Sequence, residues 1–156
     1  MRHALPALIV TLLATPPAMA DAPLFILDRT QLAFDLGPGH PANSTARTSN
    51  SPNAAWNSAA NSANSTAAYE NRPDNPANQK RLIFTSDGQV LGYYAVNAGG
   101  VLNLFDLRGR RVAYRPARGT RSLFTTAGEW CGTVDGTMGG GFALGVTRQC
   151  AGRFLQ

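Results

Sequence analysis

The sequence predicts an all-β fold: a small antiparallel meander, sandwich or barrel of about 7–9 short strands built from hairpins. Two observations predict it. A pattern of Phe, three residues, Gly, three residues, then Gly or Ala occurs three times, as Phe84-Gly88-Gly92, Phe105-Gly109-Ala113 and Phe124-Gly128-Gly132. Glycine-bearing turn signals also recur between short hydrophobic runs throughout residues 80–156.

Each copy reads as a hairpin with its middle Gly in the turn. The runs 81–85 and 89–96 flank Ser86-Asp87-Gly88, and Asn97-Ala98-Gly99-Gly100 turns the chain again. The runs 101–106 and 110–114 flank Arg108-Gly109, and 121–126 and 130–134 flank Ala127-Gly128. After the glycine-rich stretch 136–141, Phe142, Leu144 and Val146 alternate as a last strand, and Phe154-Leu155 can pack back. A large side chain near a small one lets neighbouring hairpins approach closely, so the pattern is a packing rule rather than a ligand box. Upstream, Leu24-Phe25-Ile26-Leu27 reads as a buried strand. Leu32, Phe34 and Leu36 read as one face of a second.

The N-terminus predicts where the chain works. Met1 to Ala20 has the form of a secretory signal peptide: Arg2 and His3, an apolar stretch from Ala7 to Ala14, and the cleavage pattern Ala18-Met19-Ala20. The apolar stretch is shorter than the roughly 20 residues a span requires, so no membrane span is expected. Its brevity and the Ala- and Arg-rich composition point to a bacterial chain exported to the periplasm or the exterior. Cys131 and Cys150 are the only cysteines, and an even count in an exported chain reads as a disulfide.

Residues 37–79 form the third part, between the strand segment 21–36 and the β domain 80–156. Gly37-Pro38-Gly39-His40-Pro41 ends any regular element, and the rest of this part is built from Asn, Ala, Ser, Thr and Pro. Asn43, Asn50, Asn57, Asn64, Asn71 and Asn78 fall every seven residues, with Ser after the first four. Seven is the coiled-coil period, but the repeated residue is polar, no second position is regularly apolar, and Pro52 and Pro73 interrupt. Composition predicts a polar linker that buries too little apolar surface to offset its ordering entropy, hence disorder. A single helix from Pro52 to about Tyr69, capped by Ser51 and anchored by Trp56, is the competing reading.

Little catalytic chemistry is available. Beyond the leader the only histidine is His40, set in a Gly/Pro turn. A nucleophile triad, a zinc site and a phosphate loop all lack their residue types, so no cofactor, metal or nucleotide is expected. Asp106 is the one acid that turn chemistry leaves unexplained, and it would be the residue of a small hydrolase. The charge balance says more. The chain carries 14 basic and 9 acidic groups, for a net charge of +5, and Lys80 is its only lysine. Arg108, Arg110, Arg111, Arg115, Arg118 and Arg121 crowd one hairpin and its flanks, with Arg111 and Arg115 expected opposite Val112 and Tyr114. Arginine's planar fork suits carboxylate and phosphate. The reading is an exported, non-catalytic binding or inhibitor module whose Arg-rich hairpin meets an anionic envelope polymer or acidic protein. The alternative is an envelope or appendage component that assembles through open sheet edges.

Overall fold

The computed structural model describes residues 21–138 and 141–156. The predicted signal segment and Gly139-Gly140 of the glycine-rich stretch lie outside them. The chain is nearly all β, and the hairpin expectation is met: eight strands close into a barrel in sequence order. They are β1 (Leu24–Leu27), β2 (Leu82–Phe84), β3 (Val90–Val96), β4 (Leu102–Asp106), β5 (Arg111–Arg115), β6 (Ser122–Thr125), β7 (Trp130–Met138) and β8 (Gly141–Val146). From β2 to β8 every pairing is antiparallel. β1 is parallel to both its neighbours, β2 and β8, and so closes the ring. Closure gives every strand a partner on each side. The open edge that assembly through strand pairing would need is therefore missing from the barrel.

The three Phe patterns fold alike. In each turn the residue after Phe (Thr85, Asp106 or Thr125) makes two main-chain bonds. Its N–H donates to the carbonyl four residues on, and its carbonyl accepts from the turn Gly. Gly88, Gly109 and Gly128 have φ of 88°, 80° and 87°, a left-handed conformation that only Gly adopts without strain. A bulge follows in each returning strand. Ile83 pairs with Gly92 and Phe84 with Val90, Leu104 with Ala113 and Phe105 with Arg111, Leu123 with Gly132 and Phe124 with Trp130. The surplus residues Leu91, Val112 and Cys131 join the buried cluster of Leu24, Ile83, Leu102, Leu104, Leu123 and Leu144 that forms the main core. The small residue thus opposes the residue before Phe, not Phe itself. A Cβ on Gly92 would lie 2.0 Å from the Phe105 carbonyl oxygen on β4, so close strand approach requires Gly there.

The Phe rings form separate clusters. Phe105 stacks on Tyr93 at 5.2 Å between centroids, and Phe124 tilts against Tyr114 at 5.8 Å. What covers these aromatics is the segment expected to be disordered. Residues 41–80 wind as a coil with one turn per seven residues, and every repeated Asn is buried, at 0–4% exposure. Each Asn N–H donates to the carbonyl three residues back, at 2.8–3.1 Å. From Asn50 onward each Nδ2 also donates to two carbonyls, those flanking the previous Asn, at 2.7–3.0 Å. The Ser that comes next accepts at Oγ from the amide two residues on, in Ser44, Ser51, Ser58 and Ser65 alike. Neither disorder nor a helix from Pro52 to Tyr69 describes this segment. Apolar burial is not what orders the segment; its order comes from buried amide–carbonyl bonds that replace those to water.

The coil is also the crossover that parallel strands require. β1 and β2 run the same way, and the chain between them must return across the barrel. It does so as this coil rather than as a helix.

Residues 32–36 are not a strand. Asp28 caps a 3₁₀ turn at Arg29–Gln31, with Gln31 completing the capping box. Asp35 then accepts from Arg29 Nε at 2.6 Å, Gly37 N–H at 2.9 Å and Thr133 Oγ1 at 2.9 Å. These bonds hold the chain in an irregular path with Phe34 and Leu36 exposed. At the other end, Cys131 and Cys150 form the expected disulfide, with Cα atoms 5.4 Å apart. It ties the short helix α1 (Arg148–Gly152) to β7, and Cys150 and Phe154 enter the main core while Leu155 stays exposed. Among the described residues no helix is long and apolar enough to cross a membrane.

Candidate functional site

The seam between coil and barrel is where side chains from both repeats meet. Tyr93 donates its hydroxyl to the Asn71 carbonyl and Tyr114 to the Asn50 carbonyl, each at 2.7 Å. Asn97 and Asn103 donate to Asn64 Oδ1 at 2.7 and 3.2 Å, and Thr120 donates to Asn43 Oδ1 at 2.6 Å. Burial raises the Tyr93 and Tyr94 hydroxyls above their ordinary value and pushes Tyr114 up to about 12. The seam is therefore a bonded interface.

The six predicted arginines do not share one surface. Arg111 lies along the seam, where Nη1 donates to the Asn57 carbonyl at 2.8 Å and the guanidinium sits 4.9 Å from the Tyr114 ring centroid. Strand alternation puts Arg111 and Tyr114 on opposite faces; the bulge at Val112 adds a residue and brings them together. Burial lowers Arg111 to about 10 and lowers Arg115 as well, with Arg121 adding repulsion to the latter. Arg121 is half exposed, 3.7 Å from Asp135 and 4.7 Å from the Phe34 ring centroid. Arg108 donates to the Gln156 carbonyl at 3.1 Å, and Arg110 donates to Asp106 at 3.0 Å and to the Arg153 carbonyl at 3.1 Å.

Among the described residues, two clefts are lined by arginines of this set. Arg110 and Arg111 line a cleft of about 160 Å³ with Val112, Thr126, Arg153 and Gln156. Arg118 lines another of about 300 Å³ with Ser49, Trp56, Gly99 and Ala117. Arg153 is not among the arginines the sequence singles out, and only the fold of α1 brings it to the hairpin. Trp56, the expected helix anchor, is instead 48% exposed. The seven-residue alignment holds the signal: Trp56 fills the position occupied by Ala42, Ser49, Ala63, Glu70 and Ala77 in other turns.

Asp106 finds its explanation in the turn. Its Oδ1 accepts from the Arg108 and Arg110 amides, both at 2.9 Å. Thr85 Oγ1 accepts from the Gln89 amide at 2.9 Å, and Thr125 Oγ1 from the Glu129 amide at 3.1 Å, at the matching places in the other copies. Asp106 is thus the same hairpin cap in a charged form. Compared with protein-family models, curated proteins and solved structures, the chain matches none.

Proposed function

We propose that the chain is an exported, non-catalytic binding module that engages an anionic envelope polymer through the β4–β5 hairpin. The observation that carries this reading is the local charge balance at the smaller cleft. Arg110, Arg111 and Arg153 line it, and Arg108 contacts its rim at Gln156. Their acidic partners are Asp106 on Arg110 and Glu129 on Arg153. The Arg111 guanidinium instead meets a neutral carbonyl. Positive charge is left over, and an uncompensated patch attracts anions across a Debye length of about 10 Å at 0.1 M salt. The disulfide supports an oxidising compartment. The acid that a hydrolase would use is occupied as a turn cap, which favours binding over catalysis.

The test is retention on immobilised heparin in a salt gradient. The triple variant Arg108→Ala/Arg110→Ala/Arg153→Ala should elute at clearly lower salt than the parent, because each lost cation removes about one released counterion from the salt dependence. Arg111 and Arg115 are left intact, since one lies along the seam and both are partly buried. Equal elution, or no retention of the parent, would overturn the reading.

A further inference from the structure

The larger cleft has a different chemistry. In the coil, the residue before each of the first five repeated Asn works through its backbone: the Trp56 carbonyl accepts from Asn64 Nδ2 at 2.7 Å, as the Ser49 carbonyl does from Asn57 at 2.9 Å. No indole is needed for that bond, since Ala42, Ser49, Ala63 and Glu70 serve at the sister positions. Nor does the ring fill the core. Among the described residues none accepts its N–H, whereas Trp130 donates to Ser122 Oγ at 3.0 Å. An indole held half in water, at a position where a methyl group suffices, is surface waiting to be covered.

Its surroundings specify the cover. Arg118 lies on the exposed turn between β5 and β6, and among the described residues it has no ion pair, unlike Arg110, Arg121 and Arg153. Ser49 Oγ donates to Asn50 Oδ1 at 3.3 Å, so its lone pairs stay free to accept. Gly99 and Ala117 leave the walls low. The volume of about 300 Å³ is at the lower end of small-molecule sites.

We propose that this cleft is a binding site for an acidic saccharide. The apolar face of one pyranose ring stacks on Trp56, Arg118 holds the carboxylate in bidentate fashion, and Ser49 accepts from a ring hydroxyl. A planar guanidinium selects the carboxylate, and an aromatic face selects the C–H side of a sugar. The site is distinct from the hairpin cleft, and each can fail without the other.

Titration of the full chain with a galacturonic acid trimer, followed by the tryptophan indole N–H resonances in NMR, tests it. The Trp56 signal should shift saturably in the millimolar range while the Trp130 signal stays put. Trp56→Ala should weaken binding about tenfold or more, and Trp56→Tyr should restore most of it. Arg118→Gln should bring the acidic trimer down to the affinity of a neutral galactose trimer. Trp56→Ala should leave the remaining amide spectrum in place, which separates lost binding from lost folding. A trimer that shifts neither indole, or binding that both Trp56→Ala and Arg118→Gln leave unchanged, would overturn the proposal. So would equal affinity of the parent for acidic and neutral trimers.

Discussion

The coil and the barrel are both made by repetition, but they hold together by opposite means. The barrel buries mainly Leu, Val and aromatic side chains and joins strand to strand through its backbone ladder, keeping side-chain bonds for its turns and the seam. The coil buries a single amide per turn, and that side chain does the bonding a strand neighbour would otherwise do. Apolar burial is non-directional and tolerates exchange among similar side chains. An amide that donates to two carbonyls is directional, and an alternative must supply the same two donors in the same place. The coil should therefore be the less tolerant half, even though its composition resembles a linker.

The sharpest way to break this contrast is Asn64→Asp. Asn64 donates at Nδ2 to the Trp56 and Ser58 carbonyls and accepts at Oδ1 from Asn97 and Asn103. An aspartate of the same shape turns the donor into an acceptor facing two carbonyls and buries a charge without a cation. The expected loss is about 3–5 kcal/mol, measured by urea unfolding. Asn53→Asp, on the exposed side of the same coil, should stay within about 0.5 kcal/mol. Equal effects at the two sites would mean that the ladder does not hold the coil.

A smaller effect probes the seam. Tyr114→Phe removes the hydroxyl bonded to the Asn50 carbonyl and should cost about 1 kcal/mol at neutral pH. The same hydroxyl sets an alkaline limit. Its folded value of about 12 lies above the ordinary 10.0, because burial disfavours the phenolate. A raised folded value means the contribution is complete below pH 10 and is lost as pH rises through 12. Stability curves between those limits should fall more steeply for the parent than for Tyr114→Phe.

The smallest effect concerns the barrel's own repeat. Asp106→Thr places in the middle copy the residue that caps the other two, and should cost less than about 1 kcal/mol. The hairpin would keep its shape and the bond to the Arg110 amide, and lose the bonds to the Arg108 amide and the Arg110 side chain. A large loss would show that the three copies are not interchangeable at this position.

Much of the barrel was legible because its signals are local. Each turn Gly, each run of alternating apolar residues and the Cys131–Cys150 pair lie within one hairpin or its neighbour. The bulge was less so, and it moved Arg111 onto the Tyr114 side of β5. The seven-residue period was visible, but its meaning was not. Asn57 bonds to Ser49 and Ser51, partners adjacent only once the chain has made a full turn. No propensity scale for helix or strand contains such a bond. The arginines were scattered for a related reason: their closeness in sequence spans two turns and a strand, which point to different parts of the surface.

The parallel strand that closes the barrel carries a consequence for how the protein comes to exist. β1 lies among the first described residues, yet Leu24 pairs with Phe142 as well as with Ile83. Its second partner is made after every other strand. A growing chain can fold the hairpins as they emerge, but the ring stays open and the faces of Leu24 and Leu144 stay wet until β8 is complete. Contacts that distant in sequence form slowly. Closure should thus be the last and slowest step of folding, and the open ring is the species most exposed to aggregation or to a protease.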